Sequence, residues 1–273
     1  MARLVALGVG ALALCCLAAA CGGGKSTARR DAVATYILRV DAIEQRLAKP
    51  LLDVSKANRD FAKGRGASPV ARRELVRAQA TIARLQRQLR GVKPPPDAAK
   101  LHALVLRFVG RESELAGEVV QLAAFIPAFT GTLTLLAAPN ADLKQVLSRK
   151  KATLPERAAA LDRYRAQLEP VLAKLRRLSP PPSSRPVWAQ QIGTLEGVQA
   201  AVTALADALA GKRYAAIPRL LHRLNVAAVA NQTVAAQKAQ IAAVKGYNAR
   251  IGALNALGSR ISDETARLQR TLG

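Results

Sequence analysis

The spacing of apolar residues constrains the fold of this chain more than any other feature of its sequence. From Asp31 onward, apolar side chains recur three and four positions apart, and prolines fall between these runs. This spacing places the apolar residues on one face of an α-helix. No sustained alternation of apolar and polar residues, which is typical of a half-buried strand, accompanies it. The sequence therefore predicts an all-α fold.

Composition indicates what these helices bury. Half of the residues are hydrophobic but only 3% are aromatic, so alanine, leucine and valine must supply most of the core. The only cysteines, Cys15, Cys16 and Cys21, lie near the N-terminus. We therefore predict a helical domain without a disulfide framework or a thiolate metal site.

Two helices are predicted at the start of this domain. The first has an apolar face from Val33 to Val54, and Pro50 is expected to kink or break it. Ser68 followed by Pro69 predicts the start of the second, which runs to about Val92. Apolar residues occupy one side of this second helix. Six arginines occupy the other side: Arg72, Arg73, Arg77, Arg84, Arg87 and Arg90.

An internal repeat is the most specific structural signal in the chain. Residues 69–96 align without gaps on residues 155–182, so that two proline triplets coincide. A further helical pattern follows each triplet. We therefore predict two copies of a helix, stiff turn, helix unit, at about 69–126 and 155–211. Because the connections are short, the paired helices are expected to be antiparallel neighbours.

The segment between the two copies carries weaker signals. Pro127 and Gly131 are expected to interrupt the chain, and residues 128–140 give no clear structural signal. Asn140 or Asp142 is expected to cap a short helix. Four basic residues lie on that helix and just after it: Lys144, Arg149, Lys150 and Lys151.

A long C-terminal helix is predicted over about 213–271, with an apolar seam in coiled-coil spacing that we expect to pack on the protein's own helices. A thirty-residue helix is about 45 Å long at the rise of an α-helix. The prediction is therefore one helical domain over residues 31–273, built as an elongated bundle of antiparallel helices with an internal two-copy repeat.

The first 20 residues are predicted to be an export signal. Arg3 supplies a positive start, and the apolar run from Leu4 to Leu17 is followed by small residues. The segment Leu17-Ala18-Ala19-Ala20-Cys21 resembles the lipobox of bacterial lipoproteins. This resemblance, which covers only that short segment, implies that the Cys21 thiol is joined to diacylglycerol. Cys21 would then be the mature N-terminus, anchored at the outer face of the cell membrane.

Two other interpretations of the N-terminus remain open. Ala18 and Ala20 also satisfy the rule for ordinary signal-peptide cleavage, which would give a secreted protein. The stretch from Leu4 to Ala20 is also about the shortest that could span a bilayer as an uncleaved anchor. Residues 21–30 are interpreted as a glycine-rich flexible tether. The segment Gly22–Thr27 ends like a phosphate-binding loop, but it lacks the preceding strand that such a loop needs.

The sequence contains no motif typical of an enzyme. His102 and His222 have no metal-ligand neighbour at helical spacing, so we predict no metal site. His102 aligns with Trp188 in the repeat, and we expect a semi-buried ring at that position. No serine has the surroundings of a nucleophile.

The densest acidic group is Glu112, Glu114 and Glu118. These carboxylates are expected to pair with arginines such as Arg107 and Arg111 on a solvated face.

Net charge narrows the class of function. The chain has 42 lysines and arginines against 18 acidic residues, a formal net charge of +24. Export argues against nucleic acid as the partner of this charge. We predict a lipid-anchored, non-enzymatic envelope protein without a cofactor, whose two groups of basic residues contact anionic lipid or wall polymers. The alternative is a helical carrier or accessory module that binds a small ligand or a protein partner.

Overall fold

The structure is a computed structural model that describes residues 24–62, 68–229 and 234–272, and these ranges contain helices and no strand. The predicted all-α helical bundle is confirmed. Its α-helices are α1 Gly24–Ala62, α2 Pro69–Arg90, α3 Ala99–Thr134, α4 Ala137–Ser148, α5 Leu154–Arg177, α6 Arg185–Ala210, α7 Ile217–Ala228 and α8 Val234–Leu272.

Short 3-10 turns open the second helix of each repeat copy. Pro96–Ala98 leads into α3 and Pro182–Ser184 leads into α6, and these two turns occupy aligned positions of the repeat. Proline has no N–H to donate, and it disfavours helical geometry in the residue before it. The proline triplets therefore separate α2 from α3 and α5 from α6. A third 3-10 turn, Tyr214–Ala216, precedes α7.

Aligned positions of the two copies are buried alike. The buried residues of α2 are Leu75, Ala78, Ile82, Leu85 and Leu89. The residues aligned with them in α5 are also buried: Leu161, Tyr164, Leu168, Val171 and Leu175. Spacings of three and four residues keep each set on one side of its helix. This stripe is the structural element that the two copies share.

Within the first copy, α2 and α3 run antiparallel. Gln79 of α2 lies against Gly117 of α3, and Gln86 lies against Gly110. Later residues of one helix thus meet earlier residues of the other. The glycines leave room for the glutamine side chains at these contacts.

The helices of the chain form two compact units. The first unit takes the chain up to Ala123 and again from Tyr247 onward, and the second is Ala124–Gly246. In the first, α1 packs on α2, and residues of α3 and α8 complete the apolar core. In the second, α6 packs on α5 and α7, and α4 packs on α5. The apolar side chains form distinct clusters in the two units, and each cluster contains one copy of the buried stripe.

Proline and glycine end fewer helices than the sequence indicates. Pro50 lies inside α1 and is buried, and α3 continues through Pro127 and Gly131 to Thr134. A helix that loses one donated hydrogen bond can continue when its neighbouring turns remain bonded and packed. The expected interruption at Pro127 and Gly131 is therefore wrong, and Pro50 does not break its helix.

Two other expected boundaries are corrected. Helix α1 begins at Gly24, so residues 24–30 of the flexible tether predicted for 21–30 are helical. Helix α4 begins at Ala137 after Leu136, without a side-chain cap from Asn140 or Asp142. Asn140 instead accepts a hydrogen bond from the Tyr164 hydroxyl at 2.8 Å.

The long C-terminal helix predicted over 213–271 is two helices, α7 and α8. The sequence between them includes Asn231 and Thr233, whose helix propensities are low. The regular apolar seam begins only after this point, so it predicts α8 and not the whole stretch.

Shortening Ile82 to alanine tests the shared buried stripe. Ile82 is 0% exposed, and its loss should lower the free energy of unfolding by about 2–5 kcal/mol, because buried area is lost and a cavity remains. Urea unfolding followed by circular dichroism measures the change. Val76→Ala on the same helix is the control, because Val76 is 52% exposed and its truncation should cost about 0.5 kcal/mol or less. Equal losses for the two variants would contradict the assignment of the stripe.

Candidate anion-binding surfaces

The arginine side of α2 is exposed along the helix. The side chains concerned are Arg72, Arg73, Arg77, Arg84, Arg87 and Arg90. They cover about 140° of the helix circumference and lie opposite the buried stripe. Ser68 Oγ accepts a hydrogen bond from the Ala71 N–H at 3.2 Å, which fixes the first turn of the helix. We call this surface the α2 basic face.

Few acidic groups neutralise the α2 basic face. Glu74 is the single acidic residue of α2, and no ion pair engages the six arginines within the described ranges. Val76 lies among the arginines and is 52% exposed. The face therefore combines several free guanidinium groups with a small apolar contact, a combination suited to an anionic surface.

The second predicted basic group lies in the other unit. Lys144 is exposed on α4, while the other three residues, Arg149, Lys150 and Lys151, are exposed in the connection to α5. Glu156 in the first turn of α5 forms a capping box with Thr153. Hydrogen bonds from the Thr153 backbone and side chain lower the pKa of Glu156, and the nearby Arg149 acts in the same direction. A carboxylate thus offsets part of this positive charge.

The remaining predicted site residue, Cys21, lies outside the described residues. Its lipidation stays a prediction from the sequence.

A cleft of about 660 Å³ opens between α3 and the C-terminal part of α8, within the first unit. Five cationic side chains and two carboxylates contribute to its lining, so positive charge predominates. The lining residues are Lys100, Ala103, Leu104, Arg107, Arg260, Asp263, Glu264, Arg267 and Arg270. We call this the basic cleft.

Glu264 organises the interior of the basic cleft. Its side chain is only 3% exposed, and its carboxylate accepts hydrogen bonds from Arg267 Nη2 at 2.6 Å and Nε at 2.9 Å. Lys100 Nζ lies 2.7 Å from the other carboxylate oxygen. Hydrogen bonds from Arg267 and Lys100 favour the charged form and lower the pKa of Glu264 to about 2. The ionised carboxylate therefore holds cations from α3 and α8 in fixed positions.

Sequence reasoning missed the basic cleft because its two halves are far apart in the chain. A signal exists in each half. On α3, Lys100, Leu104 and Arg107 are spaced four and three residues apart, and on α8 a similar spacing joins Arg260 to Arg270. Such spacing puts charges along one side of a helix. It does not indicate which two helices face each other.

The acidic group of α3 is divided between surface and interior. Arg111 Nη1 donates to Glu114 at 3.0 Å on the surface, as expected. Glu118, however, is 5% exposed and is bound by both terminal nitrogens of Arg250, at 2.6 and 3.0 Å. Its expected place on a solvated face is therefore wrong. Burial raises the pKa of Glu112 to about 7.

The two histidines have different environments. His102 is 9% exposed and its Nδ1 lies 3.2 Å from the Tyr36 hydroxyl, while burial lowers its pKa. Trp188, at the aligned position, donates from Nε1 to the Leu175 carbonyl at 2.9 Å. His222 is exposed. Among the described residues, no group of three or more potential ligands is placed to hold a metal ion.

One apolar stretch also meets the length and composition of a membrane span. It lies in the helical segment Pro96–Ser148, and 22% of its 18-residue window is buried.

Comparison with known proteins finds no family model, curated protein or solved structure that matches this chain. The candidate surfaces are therefore defined by their own geometry and charge.

Replacing Glu264 with glutamine tests the buried ion pairs of the cleft. The folded-state pKa of about 2 lies below the ordinary 4.5, so the ionised carboxylate stabilises the fold above pH 4.5. This contribution is lost as the pH falls through about 2. Glu264→Gln should therefore lower the free energy of unfolding at neutral pH and have less effect as the pH falls from 4.5 toward 2. Urea unfolding of both proteins across this range measures the difference.

Glu196→Gln is the matched control for this experiment. Glu196 forms a 2.7 Å ion pair with Arg176, but both side chains are about half exposed. Its replacement should change stability little at any pH, because exposed pairs contribute little. An effect of Glu264→Gln that does not vary with pH would contradict the assigned ionisation.

Proposed function

We propose that this protein is a non-enzymatic lipoprotein of the cell envelope, tethered at Cys21 to the outer face of the membrane. Its basic helical surfaces would contact anionic lipid headgroups or acidic wall polymers. The observation that carries the proposal is the α2 basic face, where six exposed arginines have no ion-pair partner within the described ranges. The predicted signal and lipobox supply the location.

Electrostatics supports contact with such a surface. A lysine or arginine held near an anionic membrane contributes on the order of 1 kcal/mol. Several arginines lie on one rigid helix whose backbone is already ordered. Their contributions to the binding free energy therefore add without a further entropic cost for ordering the backbone. Attraction between exposed charges is screened by salt. Binding through the α2 basic face should therefore weaken steeply with ionic strength.

The engagement of the two most buried acids supports the non-enzymatic part of the proposal. Glu118 and Glu264 are each engaged by cations at 2.6–2.7 Å. The pairs of Glu118 with Arg250 and of Glu264 with Lys100 join α3 to α8, and the pair of Glu264 with Arg267 lies within α8. These roles are structural. Ordinary secretion without a lipid remains the alternative location.

A carrier or accessory module is the second candidate function. The basic cleft favours it, because small-ligand sites are typically concave, about 300–1,000 Å³ in volume, and equipped with a few convergent polar groups. The 660 Å³ cleft has this size and converging charges.

The mass of the mature N-terminus tests the tether. After expression in a bacterial host that processes lipoproteins, the first residue should be Cys21 carrying diacylglycerol. Intact-mass and peptide mass spectrometry measure this. An unmodified Cys21 at the N-terminus would indicate secretion, and an intact Met1 would indicate a retained anchor; either result would contradict lipid anchoring.

Reversing two charges tests the α2 basic face. Arg77→Glu plus Arg84→Glu should reduce binding to an immobilised poly(glycerol phosphate) wall polymer by about tenfold or more at low salt. Each substitution removes attraction and adds repulsion. The full chain, as the host processes it, is assayed in neutral detergent over a series of salt concentrations.

A matched reversal on α5 supplies the control. Arg163 and Lys174 are exposed on one side of α5 in the second unit, so Arg163→Glu plus Lys174→Glu makes the same change in net charge. It should weaken binding much less, with helix content unchanged in both variants. Equal losses would show that total charge, and not the α2 basic face, governs the contact.

A further inference from the structure

The basic cleft contains cations that the fold itself does not use. Arg107 on α3 and Arg260 and Arg270 on α8 line it and are exposed, and none of them forms an ion pair within the described parts of the chain. Lys100 and Arg267, by contrast, are held by Glu264. The structural ion pairs thus leave three arginines that line one cleft.

The arrangement of these arginines selects among anions. They come from two helices, so a ligand that satisfies them must present acceptor oxygens in more than one direction. A carboxylate presents only two oxygens, and both lie in one plane. A phosphate group has three terminal oxygens arranged around phosphorus, and it can accept hydrogen bonds from Arg107 and Arg260 together.

Asp263 adds a second requirement. Its carboxylate lines the same cleft and is exposed, and it repels an anion but accepts hydrogen bonds from hydroxyl groups. The volume of about 660 Å³ exceeds what a phosphate ion needs. A ligand that carries both a phosphate and neighbouring hydroxyls satisfies the arginines and Asp263 at once.

We propose that the basic cleft binds a phosphate ester of a polyol, with Arg107 and Arg260 on the phosphate and Asp263 on a hydroxyl. Arg270 adds positive charge at the end of the cleft. The proposal goes beyond surface contact through the α2 basic face and does not require a lipid on Cys21. The ester can be a soluble polyol phosphate, whose phosphate has three terminal oxygens, or the phosphodiester headgroup of phosphatidylglycerol, which has two; both place terminal oxygens beside neighbouring hydroxyls.

Calorimetric titration of the full chain in neutral detergent tests the proposal. Three probes are used: inorganic phosphate, glycerol 1-phosphate, and detergent micelles containing phosphatidylglycerol, with phosphatidylcholine micelles as the reference. Glycerol 1-phosphate should bind more tightly than inorganic phosphate. Comparable binding of phosphatidylglycerol micelles assigns the headgroup as a source, and binding of the soluble ester alone assigns a soluble ligand. Failure of both esters to bind overturns the proposal.

Variants of the cleft give the second test. Arg107→Gln plus Arg260→Gln should weaken binding of the ester by about tenfold or more, because charge-assisted hydrogen bonds are lost. Neither arginine is part of a structural ion pair, so the fold should persist, as circular dichroism will show. Arg163→Gln plus Lys174→Gln removes the same charge from α5 and should leave ester binding unchanged. Equal weakening by both variants overturns the cleft as the site.

Asp263→Asn tests the hydroxyl contact. Loss of a negative charge should strengthen binding of inorganic phosphate, while the advantage of glycerol 1-phosphate over inorganic phosphate should shrink severalfold. An unchanged advantage would remove Asp263 from the site. Arg77→Glu plus Arg84→Glu should bind the soluble ester normally even if polymer binding is lost, so failure of the proposed surface contact and failure of this proposal can be told apart.

Discussion

The whole architecture depends on burying aliphatic stripes that are spaced three and four residues apart. With aromatic residues at only 3% of the chain, few large rings are available to fill gaps between helices, so most helices must approach closely along their lengths. The stripes of α2 and α5 do this at aligned positions, with Ile82 and Leu168 both fully buried. Each dry stripe stabilises its unit because removing apolar surface from water is favourable.

This arrangement also determines where charged side chains lie, and those in the interior differ from those on the surface in their partners. An isolated carboxylate is costly to bury, and the buried carboxylates of Glu118 and Glu264 both have cationic partners. The surplus of basic residues remains at the surface. On α2 it lies on the side opposite the core, and at the basic cleft it remains after Glu264 has engaged two cations. The same separation of apolar and charged sides thus produces both candidate binding surfaces.

The sequence predicts what depends on local spacing and fails where distant segments meet. The helical class, the Ser68 start of α2 and the exposure of its arginines follow from periodicity and capping within one segment. The interruption expected at Pro127 was wrong, and Pro50 does not break its helix, because packing of the surrounding turns outweighs the loss of one hydrogen bond. The basic cleft and the Glu118–Arg250 pair could not be predicted. Each joins α3 to α8, and a single sequence does not show which helices pack against each other.

The contact between Arg29 and Asp97 sets a limit on reach. Arg29 of α1 pairs with Asp97 in the turn before α3, so the chain is attached to its own folded body soon after Cys21. Since α1 begins at Gly24, the stretch from Cys21 to Arg29 can span at most about 20 Å. The connection between a lipid on Cys21 and the folded protein would thus be a short tether. The part of the first unit around Asp97 would stay close to the headgroups, where even weak attachment is effectively intramolecular.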